Sequence, residues 1–173
     1  MGWPFVGMPL MVLLGLGVRD GMTPVDSFFQ QAHGGPLSWL LFFTDERTAK
    51  VLLLATLALS VYRRLWPLAV AAVVVPVAAW AATEALKPVF GRLKDQGLAY
   101  PSGHTTVMVV LLGLLILAVG VKRWIVLAAI VFAVLGILGQ AVSYHYFTDA
   151  VGSTLLGTSL VCLAVVALRR LRI

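Results

Sequence analysis

Residues 87–104 read KPVFGRLKDQGLAYPSGH. In a chain that is 61% hydrophobic and only 12% charged, this polar stretch between two long apolar runs governs the reading of both fold and function. Pro101-Ser102-Gly103-His104 ends where the apolar run from Thr105 to Val119 begins, which places Ser102 and Gly103 at a helix N-terminus. The first backbone N–H groups of such a helix have no partner within it. Together with the helix dipole they form a site for an anion, phosphate above all. Gly103 admits the anion close to the backbone, and His104 can carry a proton beside it. Lys87, Arg92 and Lys94 bring positive charge from the same loop. A capped membrane helix behind a basic loop would also produce these residues, and PSGH alone does not separate the two readings.

Outward from this loop the chain alternates apolar runs with short polar breaks. At 173 residues, with a mean hydropathy of +0.99, it is too apolar for a soluble domain and reads as a single polytopic membrane domain over residues 1–173. Trp3 to Val18 is the first run, short for a spanning helix and without a preceding Lys or Arg, which argues against a cleaved signal peptide. Thr23-Pro24-Val25-Asp26 then signals a short helix, with Thr23 as N-cap, Pro24 at the first helical position and an acid in the first turn. Val25, Phe28, Phe29 and Ala32 give it one apolar face, and Gly34-Gly35-Pro36 ends it. It is expected to lie in the membrane interface, as an anchor or as a lid over a lipid entrance, with a further apolar turn or two from Leu37 to Phe43.

The remaining runs are Thr48 to Tyr62, Pro67 to Leu86 with Pro76 inside it, His104 to the residues before Lys122, Trp124 to Val142, and Ala150 to Leu168. The expected fold class is therefore all-α integral membrane, with six transmembrane helices and an interfacial helix between the first and second. Glu84 lies three residues before Lys87, a spacing suited to a local ion pair. Gly152, Ser153 and Gly157 in the last run are small enough for close helix packing. Trp66, Trp124, Tyr144 and Tyr146 fall at segment ends, as an interfacial belt requires. The single cysteine, Cys162, excludes an intrachain disulfide.

Six spans divide the charges in two. The side with both termini holds Arg63, Arg64, Lys122, Arg123, Arg169, Arg170 and Arg172 and no acid, while the other holds Arg19, Arg47, Lys50, Lys87, Arg92 and Lys94 with all seven acids. The positive-inside rule puts the acid-free side and both termini in the cytoplasm, and the polar loops outside. The net charge of +6 is then a matter of topology, and the partner it implies is a bilayer, not nucleic acid.

On that same outer side lies a second cluster, Ser143-Tyr144-His145-Tyr146-Phe147-Thr148-Asp149. His145 and Asp149 are four apart, a spacing that on a helix sets them on one face, so that the carboxylate accepts the imidazole Nδ1–H and leaves Nε2 as nucleophile or base. With this cluster the chain resembles the type 2 phosphatidic acid phosphatase family of membrane lipid phosphatases, whose signature is Lys-x6-Arg-Pro, Pro-Ser-Gly-His, and Ser-Arg-x5-His-x3-Asp. Lys87 matches the first motif's lysine, Pro101 to His104 the second motif, and His145 and Asp149 the end of the third. Lys94 and Asp95 stand where the family has Arg-Pro, and Leu138 and Gly139 where it has Ser-Arg. Arg92 is left as the only guanidinium near the motifs.

The resemblance implies that His145, oriented by Asp149, attacks phosphorus to form a phosphohistidine, that His104 protonates the leaving oxygen, and that Lys87, Arg92, Lys94, Ser102 and Gly103 bind the phosphate. It implies no metal or other cofactor. The substrate expected by this analogy is a lipid phosphate, first a polyprenyl phosphate or diphosphate at the outer leaflet of the cell membrane, with phosphatidylglycerophosphate, phosphatidic acid and lipid A 1-phosphate as other members of the class. Two other classes fit the same residues. His104, His145 and Asp149 have the composition of a two-histidine, one-carboxylate metal site, and the altered arginine pattern suits a non-catalytic lipid-binding or scrambling protein. The sequence does not give the oligomeric state.

Overall fold

The computed structural model describes residues 2–170; Arg172, counted above with the acid-free side, lies outside the described residues. Among the described residues the chain is all-helical apart from one ladder of two two-residue strands. Seven α-helices follow in order: α1 (Pro4–Val18), α2 (Pro24–Gln30), α3 (Glu46–Tyr62), α4 (Trp66–Phe90), α5 (Gly103–Val119), α6 (Arg123–Ala141) and α7 (Phe147–Arg170). A 3₁₀ helix, Pro36–Thr44, joins α2 to α3, and the ladder of β1 (Leu93–Lys94) and β2 (Gly97–Leu98) lies between α4 and α5.

Three helices, α4, α6 and α7, are long and apolar enough to cross a membrane, while α1 and α5 are apolar but shorter. Helix α1 has 15 residues. At about 1.5 Å per residue it reaches roughly 22 Å, against a hydrocarbon core of about 30 Å. Helix α3 begins with Glu46, Arg47 and Lys50, so its apolar part is shorter than its helical part.

Side-chain caps account for three of the helix starts. Thr23 caps α2 in a reciprocal capping box with Asp26, Asp45 accepts from Thr48 N at the start of α3, and Ser102 Oγ accepts from Thr105 N at the start of α5. The end of α4 differs from the expected stop at Leu86. The helix continues through Lys87 and Pro88 to Phe90, and Gly91 stops it with a left-handed φ of +65° and its N–H on Lys87 O. Lys87 is thus a helical residue facing the loop.

Helix α5 is the most enclosed and packs against α3, α4, α6 and α7. One core joins Leu68 and Ala79 of α4, Val110, Leu114 and Ala118 of α5, and Ala164 of α7. Another joins Met11 and Val18 of α1 with Phe90, Tyr100 and Leu156. Close approach is allowed where side chains are absent. A Cβ at Gly157 would lie 2.9 Å from Val109 Cβ, and one at Gly139 would lie 2.5 Å from the Leu40 carbonyl carbon. The second of these contacts seats the 3₁₀ helix on α6, where Gln140 Nε2 also donates to Thr44 Oγ1 at 2.8 Å. At the end bearing Arg63 and Lys122, Arg63 donates to the terminal α5 carbonyls of Ala118 and Val119.

Candidate active site

The start of α5, the end of α4, the β-ladder and the loop before α7 meet around a cavity of about 230 Å³ lined by Lys87, Lys94, Gly103, His104, Tyr144 and His145, with Trp80 as one wall. Two sequence motifs more than forty residues apart therefore contribute to one cavity. The amides of Gly103 and His104, in the first turn of α5, bond no acceptor among the described residues. They are the open end of that helix.

His145 lies before α7, not on it. Its backbone N–H donates to Gln140 O, closing the turn that follows α6. Asp149 sits in the first turn of α7 and reaches back, its Oδ2 accepting from Tyr146 N at 2.9 Å. The four-residue spacing thus works through a helix-start geometry and not through a shared helical face. His145 Nδ1 lies 3.6 Å from Asp149 Oδ2, too far for a hydrogen bond, and is a buried nitrogen without a partner. A movement of under about 1 Å would close that bond. Nε2 is then the nitrogen left for the cavity.

Arg92, expected among the phosphate ligands, turns inward. Its side chain is fully buried and does not line the cavity. One terminal nitrogen donates to Asp149 Oδ1 at 2.5 Å and Thr148 Oγ1 at 2.6 Å, and the other to Asp26 Oδ2 at 2.7 Å and the Gly21 carbonyl at 2.8 Å. The Tyr146 ring covers the guanidinium at 4.4 Å. Arg92 is an internal bridge between two carboxylates and has no terminal donor left for a substrate phosphate. Tyr146, expected in an interfacial belt, instead roofs Arg92 and Lys94.

Ser102, also expected to bind the phosphate, likewise does not line the cavity. Its amide donates to Ser153 Oγ at 2.6 Å and its hydroxyl caps Thr105 N, so a fully buried Ser102 holds α5 against α7. Lys94 is nearly buried, with Nζ donating to Ser143 O at 2.7 Å and His145 O at 3.2 Å. Two of its three donors fix the backbone of the histidine loop, and burial holds its ammonium below the ordinary lysine range. Lys87 forms the expected pair with Glu84 at 2.6 Å.

The sequence reading missed Asp26 as part of this neighbourhood. Its carboxylate is fully buried, and besides Arg92 it accepts from Thr148 N at 2.9 Å and Thr148 Oγ1 at 3.0 Å. Burial pushes its pKa up, but the hydrogen bonds from Thr148, Thr23 and Arg92 outweigh this and hold it below the usual carboxylate range. One turn further along α2, Gln30 donates to Ala141 O and His145 O, and Phe29 stacks on Phe147 at 4.5 Å. Helix α2 is thereby tied to the site, beyond a simple interfacial anchor. The available signal was an acid in an apolar chain, and its capping box supplied a sufficient local explanation.

Among the described residues no group of three His, Cys, Asp or Glu side chains converges, so His104, His145 and Asp149 are not brought together as a ligand set. Compared with family models, curated proteins and solved structures, the chain matches none.

Proposed function

We propose that the chain is a membrane lipid phosphatase acting through a phosphohistidine, of the type its resemblance to the type 2 phosphatidic acid phosphatases implies, with α1 and α3 to α7 as six spans across the bilayer, both termini cytoplasmic and the cavity on the outer face of the cell membrane. The observation that carries this reading is the single cavity shared by Lys87, Lys94, the α5 N-terminus, His104 and His145. A phosphate seated there meets the free amides of Gly103 and His104 and the two ammonium groups. His145 Nε2 attacks phosphorus, the bond from phosphorus to the lipid oxygen breaks, and His104 gives that oxygen a proton. Asp149 accepts the Nδ1–H and stabilises the positive imidazole ring as it forms. Water then attacks the phosphohistidine, with its proton taken by His104, and releases inorganic phosphate.

A lipid substrate is supported by what adjoins the cavity. Trp80 and His104 also line a second, mainly apolar hollow with Ala49, Val107, Thr44 and, as its one acid, Glu46, so the proposed catalytic groups border a largely apolar surface between α3, α4 and α5. The test is release of phosphate by purified protein from a panel containing a polyprenyl diphosphate, a polyprenyl phosphate, phosphatidylglycerophosphate and phosphatidic acid. Activity that survives EDTA and is inhibited by vanadate supports the reading, while no release from any of them refutes it. For topology, a cysteine at Gln96 should label from outside intact cells, and labelling only after lysis refutes the outward-facing site.

A further inference from the structure

Asp149 can serve His145 only if its carboxylate is held at the right angle and depth, and the contacts that hold it lead to α2. Oδ1 is fixed by Arg92 and Oδ2 by Tyr146 N. Arg92 is in turn fixed from its far side by Asp26 Oδ2 and Gly21 O. Asp26 also holds the peptide of Thr148, the residue immediately before Asp149, through Thr148 N and Oγ1. The same carboxylate therefore restrains both the guanidinium that grips Asp149 and the backbone that carries it. Asp26, Arg92 and Asp149 together hold two negative charges against one positive, all with fully buried side chains.

We propose that Asp26 is a positioning residue for phosphoryl transfer, acting through Arg92 and Thr148 to set Asp149 against His145. The inference rests on the phosphohistidine reading. With Asp26 neutral, Arg92 has Asp149 as its only anionic partner and draws that carboxylate away from Nδ1, so the 3.6 Å gap stays open at the moment the imidazole becomes positive. The triad also loses the net negative charge that stabilises the ring in the transition state. The loss falls on the attack step and not on ground-state binding, since Asp26 does not line the cavity.

The experiment is rapid-quench measurement of phosphohistidine formation with radiolabelled dioctanoyl phosphatidic acid and a labelled polyprenyl diphosphate in detergent micelles, quenched with base. Asp26→Asn keeps the shape and loses the charge. Its expected result is phosphohistidine forming about 10- to 30-fold more slowly, at unchanged final amplitude per protein, with KM within about threefold of the parent. A merely structural role would lower the amplitude in proportion to the misfolded fraction and leave the rate of the remainder intact, and that result overturns the proposal. Thr148→Ala, which removes hydroxyl contacts to Arg92 and Asp26 but no charge, should slow the same rate by about threefold at full amplitude, and it decides the question if Asp26→Asn does not fold. An active parent with variant rates equal to its own overturns this inference alone. A parent that forms no phosphohistidine and releases no phosphate from either lipid overturns the phosphatase reading as well.

Discussion

Arg92→Gln separates the two roles open to this residue more sharply than any other substitution. If Arg92 were a phosphate ligand, its loss would raise KM and leave the fold alone. In the structure it is fully buried and bridges Asp26 and Asp149 at 2.7 and 2.5 Å. Breaking a buried ion pair by removing one partner costs about 3–5 kcal/mol, because an uncompensated charge is left behind. Here two carboxylates are left, although the hydrogen bonds from Thr148, Thr23 and Tyr146 N remain and keep the loss inside that range. For a chain of this length that corresponds to a fall in melting temperature of roughly ten degrees or more. The loss also has a pH signature. Without the guanidinium, Asp26 loses one of the hydrogen bonds that hold its carboxyl below the usual carboxylate range, so its folded-state pKa moves up and the folded variant takes up a proton at a higher pH than the parent. The part of the deficit that comes from Asp26 is full at neutral pH and shrinks as pH drops through that raised value. The assay is thermal unfolding of the detergent-solubilised protein by tryptophan fluorescence at pH 7 and pH 5. A variant that melts with the parent at both pH values and differs only in KM would refute the bridging role.

His145→Ala should abolish turnover together with the acid-labile, base-stable phosphoenzyme, and a phosphoenzyme that persists in this variant assigns the nucleophile elsewhere. Asp149→Asn should lower kcat by about 10²-fold or more while the protein still binds vanadate. Lys94→Met should lower kcat at pH 7, with the gap to the parent narrowing at alkaline pH. The parent ammonium, held below the ordinary lysine range by burial, is charged only below its lowered pKa, and above it both proteins are neutral at this position; a gap constant across the pH profile would remove Lys94 from the site's charge balance. Gly139→Arg, which introduces the arginine of the motif the chain resembles, should destabilise the protein without raising activity, because the new side chain starts 2.5 Å from the Leu40 carbonyl carbon; a stable and more active variant would contradict the packing.

The helices and the capped start of α5 were legible because their causes are local. Ser102 is a cap followed by an apolar run, and α5 starts where that pattern predicts. The pairing of Lys87 with Glu84 and the tight packing of Gly157 follow from spacing and size, which a sequence carries directly. What stayed hidden depends on contacts distant in sequence. Arg92 meets Asp26 across 66 positions and Asp149 across 57, and no periodicity encodes those meetings. Asp26 was obscured further, since its capping box accounts for an acid at that position, and the same carboxylate serves the cap and the buried network at once. The absence of an arginine at Gly139 was visible, but its reason was not: the 3₁₀ helix, whose path over α6 no local signal dictates, brings its own backbone against that residue.

On the proposed reading, with Arg92 internal, the charge available to a substrate phosphate is two lysines and a helix end, which bears on what the site could discriminate. A guanidinium grips two phosphate oxygens in a fixed plane, whereas an ammonium acts as a point charge with little angular demand. Lys94 offers one remaining donor, and Lys87 is held by Glu84 in a pair whose side chains are 18% and 44% exposed. A pair so open to solvent is weak and can exchange its carboxylate for an incoming phosphate. Orientation must then come from the groups that cannot swing, the amides of Gly103 and His104 fixed by the start of α5, and behind them Asp149, fixed by Arg92. On the proposed reading, directional control rests with the backbone and with an arginine that grips the Asp149 carboxylate, so a guanidinium would support the reaction from behind His145 and not from in front of the substrate.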